Sequence, residues 1–88
     1  MYKIYITKTF DRRIKQFLRS HPELENEIKQ KLDLLIRNPF DPQLRTHKLS
    51  GRLKNEFAFR LTYEYRIFFV LVGFNIYLTN IGSHDEIY

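Results

Sequence analysis

The sequence predicts an α+β domain: a small antiparallel sheet with two N-terminal helices packed on one face, in the order β-α-α-β-β-β-β. Three observations carry that expectation. The chain opens on an alternating strand pattern, two stretches of helical periodicity follow before Asn38, and beyond residue 46 the apolar residues alternate again between short polar turns. Strands that follow one another through short turns pair antiparallel, and two amphipathic helices bury their stripes by lying on one sheet face.

Tyr2, Ile4 and Ile6 alternate with Lys3, Tyr5 and Thr7, which makes 2–7 the first strand. Phe10, Ile14, Phe17 and Leu18 then fall on one helix face with basic residues opposite, and Thr7 or Thr9 stands ready to cap a helix over about 8–20. Ser20-His21-Pro22 closes that helix and opens another. Pro22 suits a first helical position, and Glu23, Glu25 and Glu27 lie where the helix dipole favours negative charge. Leu24, Ile28, Leu32 and Leu35 form the second stripe until Asn38-Pro39 ends it, while His21 reads as a solvent-facing or capping residue.

NPFDPQLRT at 38–46 has two prolines and no periodicity, so it is a loop returning the chain to the sheet. Leu49–Leu53 is a short candidate strand containing Gly51. Glu56–Thr62 sets Phe57, Phe59 and Leu61 against Ala58, Arg60 and Thr62, and Tyr63-Glu64 makes a tight turn. Arg66–Val72 is apolar on both faces, which places it centrally in the sheet; Gly73-Phe74-Asn75 turns into a last strand, Ile76–Ile81.

With 88 residues the chain has material for one core, so 1–88 is read as a single domain. There is no cysteine, which excludes disulfides and thiolate metal sites and fits a reducing cytoplasm. The longest apolar run, IFFVLV at 67–72, is far too short to span a bilayer, so a soluble, cytoplasmic protein without a membrane partner is expected. Fifteen Lys and Arg against ten Asp and Glu leave a formal charge of +5, which attracts polyanions. The excess gathers in mid-chain, where Arg45, Lys48, Arg52, Lys54, Arg60 and Arg66 face only Glu56 and Glu64 between residues 45 and 66. An ordinary solvated face has the same composition; a nucleic-acid surface is the sharper reading, with Arg45, Lys48, Arg52 and Lys54 as its backbone contacts.

His47, Arg60, Glu64, Arg66, His84 and the last residue, Tyr88, are the polar side chains that packing does not explain. If residues 62–65 form a tight hairpin, Arg60 and Arg66 lie on neighbouring strands near one end, where two guanidinium groups can hold one phosphate. A salt-bridged turn, with Glu64 paired to either arginine, is the rival. Histidine is the side chain best suited to exchange protons near neutral pH, which singles out His47 and His84. RNA brings its own nucleophile, the 2′-OH, so cutting it needs no metal or other cofactor. It needs a base for that proton, cations for the charge on the phosphoryl oxygens and an acid for the 5′-oxygen. His47, the Arg60–Arg66 pair and His84 fill those roles, with Tyr88 stacking on a base or touching the phosphate.

The block HKLSGRLKNEFAFRLTYEYRIFFVL and the ending IYLTNIGSHDEIY resemble the RelE/ParE superfamily of toxins, along essentially the whole chain. Within it the likeness is greatest to the YafQ-type mRNA interferases. Their pattern is a His before x-L-x-G, a basic residue thirteen positions on, an acid four after that and a G-x-H-x-x-x-aromatic tail. It falls here on His47, Arg60, Glu64, His84 and Tyr88. Arg66 matches the arginine retained in RelE-like members. Two departures matter: Arg60 stands where YafQ-type toxins carry a second histidine, and His84 stands where RelE-like members carry an arginine.

The resemblance implies a ribosome-dependent endoribonuclease that cuts mRNA in the A site. It implies a cognate antitoxin with an acidic, partly disordered segment as partner, and it leaves His47 and Glu64 as alternative bases. Two other readings belong to different classes: a gyrase poison of the ParE branch, and a basic nucleic-acid-binding module without catalysis.

Overall fold

The computed structural model describes residues 1–49 and 55–83. Strand β1 (Lys3–Ile6) leads directly into helix α1 (Lys8–Ser20), and a single turn of tighter helix over Pro22–Leu24 hands the chain to α2 (Glu25–Arg37). Of the two candidate caps, Thr7 is the one used: its Oγ1 accepts the Phe10 N–H at 3.2 Å and donates to the Leu78 carbonyl at 2.8 Å. One hydroxyl thus caps the helix and ties its start to the sheet. Asn38 stops α2, and a second tight turn, Pro42–Leu44, ends on Arg45 at φ +50, a left-handed conformation uncommon for a residue with a side chain.

Strands β2 (His47–Lys48), β3 (Glu56–Arg60), β4 (Tyr65–Val72) and β5 (Asn75–Ser83) form an antiparallel meander, as expected. A short strand before β3 covers His47–Lys48; of the expected strand Leu49–Leu53, Leu49 lies beyond it and 50–53 fall outside the described residues. β4 is central, with Ile67, Phe68 and Phe69 buried in succession.

The sheet departs from the purely antiparallel expectation. Its order is β1-β5-β4-β3-β2, and β1 runs parallel to β5, with Ile4 opposite Ile76 and Ile6 opposite Leu78. The helices are the reason. Parallel neighbours need a long crossover, and the two helices carry the chain over one face to the far edge, from which the meander works back to β1.

Phe10 of α1 and Ile28 and Leu35 of α2 pack with Leu44 against Phe59, Leu61, Ile67, Phe69, Ile76, Leu78 and Ile81. That is the helix-covered face. A smaller cluster, Leu49 with Ala58 and Phe68, lies on the opposite face. Between Phe68 and Phe69 the β4–β5 register slips: Leu78 faces Phe69 and Asn80 faces Phe68, leaving Thr79 as the extra residue of a bulge. Ile81 therefore joins the core although strict alternation from Ile76 would turn it outward, and Gly82 takes the outer face beside Arg66.

Replacing Thr7 with Ala removes a cap and the hydroxyl on Leu78 together, and thermal unfolding should show a loss of about 1–2 kcal/mol. Thr7→Ser should recover most of it. Phe69→Ala, at a fully buried ring packed between Phe57 and Phe59, should cost about 3–5 kcal/mol and leave little folded protein.

Candidate functional site

Alternation along β3 and β4 sends Phe59, Leu61, Ile67 and Phe69 to the helices, so Ala58, Arg60, Arg66 and Phe68 occupy the uncovered face. Arg60 and Arg66 are direct cross-strand partners. The Leu61 N–H bonds the Tyr65 carbonyl and the Leu71 N–H bonds the Asn55 carbonyl. Those bonds put the hydrogen-bonded pairs at the odd positions of β3 and leave Arg60–Arg66 as a non-hydrogen-bonded pair. In such pairs the side chains stand closest, and like charges directly opposite repel.

Neither arginine has an ion-pair partner among the described residues to offset that repulsion. Nε of Arg60 and both Nε and Nη1 of Arg66 are shielded from solvent without a hydrogen-bond partner. Glu64, the expected rival partner, sits exposed in the turn with its backbone N–H on Thr62 Oγ1 at 3.2 Å; it makes no ion pair among the described residues. The Thr62 hydroxyl also accepts the Tyr65 N–H at 3.2 Å and closes the hairpin that brings the arginines together. The Arg60 guanidinium carbon lies 5.7 Å from the centre of the exposed Tyr63 ring, a cation–π distance. Guanidinium groups with unused donors are able to bind an oxyanion.

His47 joins this face because it is the register partner of Ala58, two residues from Arg60. Its Nδ1 lies 3.2 Å from the Arg45 carbonyl, which can only accept, so Nδ1 supplies the proton of that hydrogen bond. The left-handed turn at Arg45 supplies that carbonyl. Arg45 and Lys48 are both exposed nearby. Arg52, Lys54, His84 and Tyr88 lie outside the described residues.

On the helix side, next to the same end of the sheet, Arg13, Gln16, Phe17, Ser20, His21, Tyr65, Ile81 and Gly82 line an open cleft of about 380 Å³. His21 ends α1 as a cap, with its N–H on the Phe17 carbonyl, but it is half-buried rather than solvent-facing. Its ring packs on Phe17 and Tyr65, its Nε2 meets the Tyr65 hydroxyl at 3.1 Å and its Nδ1 lies 3.5 Å from Glu23. Tyr65 stands between Glu64 and Arg66, so this contact braces the turn that carries them. The signal in the sequence was the parity of Tyr65: a tyrosine on the core side of a strand needs a partner for its hydroxyl.

No helix is long and apolar enough to cross a membrane, and no three His, Asp or Glu side chains gather as metal ligands, among the described residues. No curated protein sequence matches the chain significantly. Solved structures do. A copper-bound mutant toxin from Helicobacter pylori is 24% identical with a TM-score of 0.76, each chain covered over 100% of its length. YafQ from E. coli is 18% identical with a TM-score of 0.82 over 100% of this chain and 99% of the other. The E. coli DinJ–YafQ complex gives 18% identity and a TM-score of 0.84 over the same shares. Identities this low establish the fold, which is theirs. The sequence model of the YafQ family, bacterial toxins of type II toxin–antitoxin systems, matches residues 2–88, and the chain belongs to that family.

Proposed function

We propose that this toxin is a metal-independent endoribonuclease that cuts mRNA in the ribosomal A site and so halts translation in the cytoplasm. The Arg60–Arg66 pair carries the reading. Two arginines paired across neighbouring strands, with shielded, unpartnered donors, suit the doubly charged phosphorane-like state of RNA cleavage better than they suit a resting protein.

In the proposed reaction the base takes the 2′-OH proton, the 2′-oxygen attacks the adjacent phosphorus and the bond to the 5′-oxygen breaks. The products are a 2′,3′-cyclic phosphate and a 5′-hydroxyl. Arg60 and Arg66 hold the phosphoryl oxygens throughout. His47 is the better base of the two candidates, because the Arg45 carbonyl orients its ring through Nδ1, whereas Glu64 has no partner that orients its carboxylate among the described residues. His84 returns a proton to the 5′-oxygen and Tyr88 stacks on the substrate, roles assigned by the sequence pattern alone. Arg45, Lys48, Arg52 and Lys54 hold the RNA backbone. The DinJ–YafQ complexes support a cognate antitoxin, here one whose acidic segment covers the same cations.

Purified translating ribosomes with a chelator present should yield fragments ending in 2′,3′-cyclic or 3′-phosphate. Arg66→Ala should lower the rate about a hundredfold, the cost of losing one transition-state donor. Full activity of a His84→Ala, Arg66→Ala double variant would sink the assignment. DNA-damage signalling in cells with intact mRNA would point to a gyrase poison instead.

The base is separable by pH. His47→Gln should abolish the rise of the cleavage rate on the acidic side of its pH profile while Glu64→Gln leaves that limb in place; the reverse outcome transfers the role to Glu64. Removing Tyr88 should weaken cleavage more than it lowers the melting temperature.

A further inference from the structure

We propose that the stacked pair Tyr5–Tyr77 is a second RNA contact, a platform for a base of the same strand whose phosphate the arginines hold. The proposal rests on the RNA-cleaving reading above. Ile4, Ile76 and Leu78 pack toward the helices, so their neighbours Tyr5 and Tyr77, register partners on β1 and β5, stand on the face that carries Arg60 and Arg66. The two rings lie 5.1 Å apart at 19°, an offset stack already assembled.

Tyr5 belongs to β1, the edge of the sheet, and is 44% exposed. One face of its ring rests on Tyr77 and, among the described residues, no further strand lies beyond β1, so a third flat ring can continue the stack. Cross-strand tyrosines also steady a sheet, but that role does not require an exposed ring at the edge. Lys3, exposed on the same face two residues along β1, is placed for the adjoining phosphate.

Between this pair and the arginines runs the outer lane of β5, where Gly82 faces Arg66, Asn80 faces Phe68 and Tyr77 faces Val70. Four strand steps separate the Arg66 and Val70 rows, about 13 Å at ~3.3 Å per residue. β1 also lies two strand spacings from β4, about 10 Å at ~4.8 Å each, so Tyr5 stands roughly 16 Å from Arg66. Stacked single strand advances ~3.4 Å per base, which puts the platform about five nucleotides from the held phosphate, and fewer in an extended strand. It is therefore a contact distinct from the cleavage site, on the same ligand.

The test uses the whole chain and 2′-O-methyl RNA oligonucleotides, which resist cleavage, with a fluorescent 2-aminopurine at successive positions. Stacking should quench the probe at one position. Tyr5→Phe should keep the quenching; Tyr5→Leu, which retains apolar bulk without a flat ring, should lose it and bind roughly tenfold more weakly. Circular dichroism shows whether each variant is folded. Unchanged quenching and affinity in folded Tyr5→Leu overturns the platform, and so does a defect confined to gripping an acidic antitoxin peptide. If Arg66→Ala weakens binding while Tyr5→Leu does not, the platform falls and the cleavage reading stands; wild type that neither binds RNA nor cuts it on ribosomes removes both.

Discussion

The pairing of β5 with strands on both sides governs the rest of the molecule. It runs parallel to β1 and antiparallel to β4, and its backbone also anchors α1: Thr7 reaches the Leu78 carbonyl, while Arg13 Nε and Nη2 reach the Ile81 carbonyl at 3.3 and 3.2 Å. A helix joined to a strand at both ends of its contact cannot slide along it. The bulge at Thr79 lies between those two anchors, and it decides which face each later residue occupies. The core position of Ile81, the outward position of Gly82 and the row shared with Arg66 all follow from that one extra residue.

A sheet face fixed in this way can hold charges that a looser scaffold would shed. Two opposed arginines raise the energy of the unliganded fold, because burial removes water from their donors and their charges repel. Long side chains with freedom to move would swing apart or recruit Glu64. The hairpin closed by Thr62 and the His21–Tyr65 contact behind it keep Arg60 and Arg66 in register. The cost of bringing the two arginines together thus falls on folding, where the hydrophobic core offsets it.

Most of the fold was legible because periodicity reports burial directly. Phe10, Ile28 and Leu35 on the helices, and Phe59 and Phe69 on the strands, fall where their spacing put them. The parallel partnership of β1 was not legible, since no local pattern records which distant strand a strand will meet. Nor was the bulge, because Thr79 has an ordinary strand residue's appearance. The short β2 lay hidden beside a glycine-containing stretch that looked more strand-like than His47–Lys48. At the site, a sequence shows charge and spacing, so Arg60, Arg66 and His47 stood out. It does not show which group a hydroxyl or ring nitrogen finds across the fold, and His21 with Tyr65 escaped notice for that reason, as did the meeting of Tyr5 with Tyr77.

The neighbourhood of β1 and β5 also orders events in time. Lys3, which precedes both helices, has its partner in Asn75, and the helix that follows β1 takes its anchors from Leu78 and Ile81. Contacts of such long sequence separation close late in folding and slow it. A chain emerging from the ribosome therefore carries its helices and its first strand without the surface they are meant to support. Arg60 and Arg66 are held in their final places only once β5, which follows them in the chain, has joined both β4 and β1.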